Sequence, residues 1–364
     1  MRTIKKYLYF LLYFIITTSV CAQNESIQII EDSLSFSRGE AIYSGTLSRP
    51  ANLDTYPLVI LISGMGMQDR DWTFAGGKYK MAKEITAYLN QKGIAVYRYD
   101  DRGHGKSTGA SEMTTSFEDL SEDIYQAVLT LRKIESVSKI GLLGHSLGGI
   151  LSIMTASNHK EIDFIITLSG SYQNGSEIQM EQARTLKRWR TSDDMSEEDV
   201  ISTGEKFVQA LLSYSNGGDG LETMEEILSD LIHYQISSLT KEQLEENLKY
   251  FKDTTDFIEK SYQGALEYYT SPHQMSFTSY DPSEGLKKVT CPILILFGEK
   301  DNHVTINSNI PKVSEAIIEG NFSDLTIKIV PEADHGYSSP EYIEKGQMVP
   351  GLREFIADWI GLTK

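Results

Sequence analysis

Leu142-Leu143-Gly144-His145-Ser146-Leu147-Gly148-Gly149-Ile150 decides how this 364-residue chain is read. Gly144 to Gly148 spell G-x-S-x-G. Lys139-Ile140-Gly141-Leu142-Leu143 leads into the motif and suits a buried strand. Ile150-Leu151-Ser152-Ile153-Met154-Thr155-Ala156 follows, with the length and apolar content of a packed helix. A strand, a tight glycine turn and a helix is the setting this pentapeptide requires. Small flanking residues let strand and helix approach each other. The Ser146 hydroxyl then stands exposed at a helix N-terminus. There the N–H groups and the positive end of the helix dipole can hold a developing oxyanion.

Upstream, the segment from 27 to 49 alternates weakly around the turn residues Ser37-Arg38-Gly39-Glu40, and Ala41 to Leu47 reads as the return strand of a hairpin. Leu58-Val59-Ile60-Leu61-Ile62 is a continuous apolar run, the mark of a strand covered on both faces. It runs into Ser63-Gly64-Met65-Gly66-Met67, a turn able to aim backbone N–H groups at a ligand. Taken with the downstream elbow, that turn supplies half of an oxyanion hole: Met65 donates one N–H and Leu147 the other. Gln68-Asp69-Arg70-Asp71-Trp72 reads as a loop fixed by ion pairs. Tyr79 to Gln91 has helical spacing, Ile94 to Tyr99 reads as a strand, and Phe117 to Ile134 as a long amphipathic helix. Alternating strands and helices predict an α/β chain with a doubly wound, mostly parallel sheet.

Ile162 to Gly170 is the next strand, after which the pattern changes. Residues 172–280 hold no convincing strand, are rich in Glu, Gln and Lys, and carry apolar residues at helical spacing. Ser196-Glu197-Glu198-Asp199 and Thr240-Lys241-Glu242-Gln243 look like helix starts with capping-box chemistry. Four or five helices are expected, inserted as one unit that could cover the site. Met180, Trp189, Phe207, Leu211, Tyr214 and Tyr234 are read as internal core of that unit before substrate-facing residues. His104, His233 and His273 are read as structural. Strand character resumes at Cys291 to Phe297 and ends in Gly298-Glu299-Lys300-Asp301. Asp301 thus sits beyond a strand C-terminus, where open α/β sheets gather functional groups; Glu299 is its nearest rival. Leu325 to Val330 is a final strand, followed by Pro331-Glu332-Ala333-Asp334-His335-Gly336. His335 is placed as a base hanging over Ser146, while Asp334 is too near in sequence to reach the far ring nitrogen. Val349 to Ile360 closes the chain as an amphipathic helix.

The first 22 residues differ from the rest. Arg2, Lys5 and Lys6 precede the apolar Tyr7 to Ile16, and Thr17 to Ala22 ends on small residues, with Val20 and Ala22 at the −3 and −1 positions. This reads as a secretory signal peptide at residues 1–22, implying export to the periplasm or beyond. The apolar run is shorter than the roughly 20 residues of a span, so no membrane anchor is expected after cleavage. Thr18-Ser19-Val20 before Cys21 is a poor lipobox, which sets lipoprotein anchoring behind simple export. Cleavage leaves Cys291 alone, without an intramolecular disulfide partner. The formal net charge of −17 disfavours nucleic acid and anionic membranes as partners. No Cys/His spacing of the zinc type is present.

The order Ser146, Asp301, His335 resembles that of the α/β-hydrolases. The resemblance covers residues 23–171 and 281–364, leaving 172–280 as a helical cap insertion. Ser63 to Asp71, Tyr99-Asp100-Asp101-Arg102-Gly103-His104-Gly105-Lys106-Ser107, Gly144 to Gly148, Tyr280-Asp281-Pro282 and Gly298 to Asp301 are similar to a group of exported bacterial serine esterases. The resemblance implies carboxylic ester hydrolysis, with no metal or organic cofactor; the expected reaction runs through a Ser146–His335–Asp301 triad and an acyl-enzyme, on small to medium acyl esters. Many relatives carry His-Gly where this chain has Ser63-Gly64. A serine aminopeptidase, a thioesterase or an acyltransferase would use the same triad, and a non-catalytic binding protein on this fold would need none of it.

Overall fold

A computed structural model describes residues 27–320 and 322–363. The signal-peptide reading and Cys21 lie outside the described residues. Among the described residues there are ten strands: β1 (Ile29–Arg38), β2 (Ala41–Pro50), β3 (Tyr56–Ile62), β4 (Thr73–Phe74), β5 (Tyr79–Lys80), β6 (Ala95–Tyr99), β7 (Val137–His145), β8 (Phe164–Leu168), β9 (Ile293–Gly298) and β10 (Leu325–Val330). Eight build one sheet in the order β1-β2-β6-β3-β7-β8-β9-β10. β1 and β2 form an antiparallel hairpin at one edge, β2 meets β6 antiparallel, and every pairing from β6 to β10 is parallel. The doubly wound, mostly parallel sheet expected from the sequence is therefore present.

The helices outside the 172–280 segment are α1 (Met81–Gln91), α2 (Phe117–Leu131), α3 (Leu147–Asn158), α11 (Ile306–Glu319), α12 (Pro340–Ile343) and α13 (Leu352–Leu362). Within and just beyond it come α4 (Gly175–Leu186), α5 (Glu197–Ser215), α6 (Leu221–Ser237), α7 (Lys241–Asn247), α8 (Thr254–Tyr269), α9 (Pro272–Ser279) and α10 (Pro282–Leu286). The central strands are apolar on both faces because both are covered. Leu58, Ile60 and Ile62 of β3 pack into one core with α2, α3 and α11. Val59 and Leu61 point the other way, into a second core with α1 and α13. Burying each such aliphatic side chain contributes about 1.5–3 kcal/mol, which is why this run tolerates no polar residue.

Two local readings need correction. Tyr79 and Lys80 pair with Thr73 and Phe74 as a small ribbon, so the helix starts at Met81. The segment 172–280 folds into six helices, two of them short. The two capping boxes are formed as expected, from Ser196 to Asp199 and from Thr240 to Gln243, and a third joins Asn174 and Glu177. The helices α5 and α6 pack a core of their own around Phe207, Leu211, Met224 and Leu228.

Candidate active site

Ser146 occupies the turn between β7 and α3 with φ 53 and ψ −117, a conformation rare for any residue but glycine. Glycines make that turn possible. A Cβ on Gly144 would stand 2.0 Å from the Gly148 carbonyl oxygen, and one on Gly148 would stand 2.2 Å from that of Ile62. Both obstacles are backbone and cannot yield, so the elbow admits no side chain at either position.

Asp301 follows β9 and His335 follows β10, so three of the predicted residues meet at the C-terminal ends of parallel strands. His335 Nε2 lies 3.1 Å from Ser146 Oγ, and His335 Nδ1 lies 2.9 Å from Asp301 Oδ2. The other carboxylate oxygen, Oδ1, accepts the N–H groups of His303 at 2.8 Å and Val304 at 2.9 Å. The Asp301 side chain is fully buried. Burial pushes its pKa up, but the His335 hydrogen bond and charge, the Val304 N–H and the Ser169 hydroxyl outweigh that, and the carboxyl stays below its ordinary value. It is thus an anion aimed at one imidazole nitrogen. The two rival acids are occupied elsewhere. Asp334 Oδ1 accepts the N–H groups of Gly336 and Ser338, and Glu299 accepts that of Glu332.

Leu147 is the first residue of α3, so its N–H has no helical carbonyl to reach. Met65 sits in the turn after β3, and among the described residues its N–H donates to no backbone carbonyl. Both line the same cavity as Ser146 and His335. The Met65 turn is clamped from beneath. Ser63 Oγ donates to Asp101 Oδ1 at 2.5 Å, the Gln68 N–H donates to Oδ2 at 2.6 Å, and the Asp101 N–H returns to the Gln68 carbonyl at 3.1 Å. One carboxylate therefore ties both ends of the loop that carries Met65. The following polar run is structural as expected: Arg70 pairs with Asp100, Asp71 with Arg98, and Trp72 is buried.

Two features were not foreseen. His145, the first variable residue of G-x-S-x-G, is buried between Ser146 and the His335 loop. Its Nε2 lies 2.8 Å from the His335 carbonyl oxygen, which can only accept, so His145 carries its proton there. Burial and the neighbouring His335 push its pKa down to about 3, keeping it neutral. His303 lays its ring 4.9 Å from that of His335. Burial, then the His335 charge, lowers its pKa too.

The cavity above Ser146 has a volume of about 700 Å³. Its floor comes from the sheet and its walls from α4, α5, α6, α8 and α9. Phe207 and Trp189, read from the sequence as core of the helical segment, stack at 4.3 Å; Phe207 is buried in that core with Trp189 packed against it, and both also border this cavity. Leu211 does stay in the core, and the Tyr234 hydroxyl is spent on Asp193. A space of this size suits a small organic molecule.

A three-layer α/β/α sheet with a serine on a glycine elbow and a histidine and aspartate on later strand ends defines the α/β-hydrolases, and the chain is a member of that superfamily. Residues 75–203 match the family described as "Serine aminopeptidase, S33", and residues 255–347 match the dienelactone hydrolase family. Esterase EstD of Thermotoga maritima is 26% identical over 324 residues, 87% of this chain and 65% of that protein. The chain thus spans about two thirds of the length of that relative and less of others. Among solved structures, a Pyrococcus furiosus esterase superposes with a TM-score of 0.53 at 14% identity, covering 92% of this chain and 91% of the other. Est1E from Butyrivibrio proteoclasticus, bound to ferulic acid, gives 0.51 at 17% identity, covering 90% and 99%. At such identities these two likenesses speak for the fold.

Proposed function

We propose that the protein is a serine hydrolase that cleaves carboxylic esters through an acyl-enzyme. The observation that carries this reading is the hydrogen-bonded series Ser146–His335–Asp301 opening into a largely apolar cavity. His335 takes the Ser146 proton as the oxygen attacks the ester carbonyl, and Asp301 orients the ring and stabilises the imidazolium. The N–H groups of Met65 and Leu147 hold the oxyanion, each lowering the barrier by about 3 kcal/mol. His335 then returns the proton to the departing alcohol. Water, deprotonated by the same imidazole, releases the acid. The helices of 172–280 act as a cap that excludes bulk water and shapes the acyl pocket, so small to medium acyl groups are expected.

Turnover of p-nitrophenyl esters from acetate to palmitate, measured beside Ser146→Ala, tests the assignment. Hydrolysis of the shorter esters that is lost in the variant supports it. Wild-type rates in Ser146→Ala would refute it.

The serine-aminopeptidase match over 75–203 favours a second reading on the same triad. An aminopeptidase must recognise the substrate's α-ammonium, for which a carboxylate near the scissile bond is the natural partner. Among the described residues, no Asp or Glu lines the cavity. The ester reading is therefore preferred, and cleavage of aminoacyl p-nitroanilides as fast as of esters would reverse that preference.

A further inference from the structure

The cavity lining is unusual for so acidic a chain. The protein carries 51 Asp and Glu against 34 Lys and Arg, yet among the described residues lining the cavity there is no acid, no lysine and a single arginine, Arg188. Its neighbours are all engaged. Arg184 pairs with Glu205 at 2.6 Å, Lys187 with Glu197 at 2.7 Å, and Arg190 donates to the carbonyls of Ser192, Asp193 and Met195. Arg188 has no carboxylate within 4.0 Å and donates no side-chain hydrogen bond among the described residues, although Glu and Asp abound on the same surface. Its charge is felt at Tyr269 on the cavity wall and at His303, whose ring lies against His335. Arg188 lines the same cavity as Ser146, His303 and His335. Gln182 and Gln235 line that space too and likewise make no side-chain hydrogen bond among the described residues.

We infer that this cavity is built for esters bearing an anionic group, a carboxylate held by Arg188 and the two amides while Ser146 attacks the ester carbonyl. The inference rests on the ester reading above and adds the class of substrate. An arginine matches a carboxylate with two parallel N–H donors. A net charge of −17 gives anions no long-range attraction, so recognition has to act at short range, through Arg188, the one Lys or Arg lining the cavity among the described residues. The carboxylate can belong to the acyl part or to the alcohol part, and the chemistry of recognition is the same for both.

The test compares kcat/KM for a charged ester with that for a neutral one, in wild type, Arg188→Gln and Arg188→Glu. Monoethyl adipate places the carboxylate on the acyl side and the hexanoyl ester of glycolic acid places it on the alcohol side; ethyl hexanoate is the neutral reference. Arg188 is exposed, so the variants should fold, which circular dichroism checks. In at least one arm the charged-to-neutral ratio should fall about five-fold or more in Arg188→Gln, as expected for a partly solvated ion pair. It should fall further in Arg188→Glu, and the arm that responds names the side. Added salt should lower the wild-type ratio toward that of Arg188→Gln. Ratios unchanged within two-fold in both arms and both variants would overturn the inference. If wild type hydrolyses no ester at all, the ester reading falls separately, and the anion site is read by binding. Hexanoate should then quench tryptophan fluorescence at lower concentration than hexanamide in wild type but not in Arg188→Glu, Trp189 being adjacent; equal titrations would overturn it.

Discussion

The Nε2–H of His145 donates to the carbonyl oxygen of His335 at 2.8 Å, so the residue beside Ser146 in sequence holds the backbone of the imidazole that Ser146 faces. Replacing it tests how much of the geometry depends on that strut. His145→Phe leaves a partly buried carbonyl without its donor, which costs about 1 kcal/mol or more. We expect a lower Tm and a fall in kcat of about ten-fold with a smaller change in KM, since the ring of His335 loses its fixed origin rather than the substrate its contacts. Steady-state kinetics on p-nitrophenyl butyrate, with a thermal melt, read both.

Asp301→Asn should keep the fold and lose the chemistry. The amide fits the same space, but it cannot stabilise an imidazolium and can present its NH₂ to His335 Nδ1. A loss in kcat of about 10³–10⁴-fold is expected, with substrate affinity largely kept. A loss under ten-fold would remove Asp301 from the triad.

Gly64→Ala probes the oxyanion turn. The added methyl would stand 3.1 Å from His145 Nδ1 and 3.3 Å from Ser146 Cβ, close enough to push the turn outward but not to forbid folding. Met65 would move with it. We expect a modest change in Tm and a fall in kcat of about ten-fold or more, part of what losing one oxyanion donor costs.

The clamp beneath that turn makes stability depend on pH. Burial, against the hydrogen bond from Ser63, lifts Asp101 to about 7, and burial with the charge of Asp101 lifts the neighbouring Glu112. Between pH of about 4 and 7 the folded protein holds protons that the unfolded chain has released. Stability from this pair must therefore fall as pH rises through that window. Asp100 works in the opposite sense. Burial raises it, but Arg70 and the Lys106 N–H bring it to about 2, so its contribution is present above pH of about 4 and lost on acidification toward 2. Thermal melts from pH 3 to 8 should show a maximum, with a fall on its alkaline side that is shallower in Glu112→Gln. An identical alkaline slope in that variant would remove the pair from the account.

The sheet was legible in the sequence because its central strands are covered on both faces. Leu58 to Ile62 and Cys291 to Phe297 can serve few other purposes than buried strands. The elbow was legible because Gly144 and Gly148 are required by backbone contacts that no neighbour can relieve. Asp301 could be placed because it follows such a strand directly, and His335 because it lies on the short loop after the last strand, β10. What could not be read depends on distant partners. The role of His145 is set by a loop 190 positions away, and that of Asp101 by Ser63, 38 positions before it. Tyr79 fits the apolar spacing of the helix after it, yet it pairs with Phe74. Trp189 and Phe207 carry the same apolar signature whether they face a protein core or a cavity, and only the packing of α5 against its neighbours distinguishes the two.

β8 and β9 lie side by side, with Ile165 paired to Ile293 and Leu168 to Leu296, although residues 169–292 separate them along the chain. The ladder of main-chain hydrogen bonds therefore closes beneath the helices as if they were a loop. Helices α4, α5, α6, α8 and α9 wall the cavity while lying outside that ladder, so a change of side chain on their cavity-facing surfaces alters the walls and leaves the paired strands as they are. The shape of the space above Ser146 can thus vary independently of the strands that hold Ser146, Asp301 and His335.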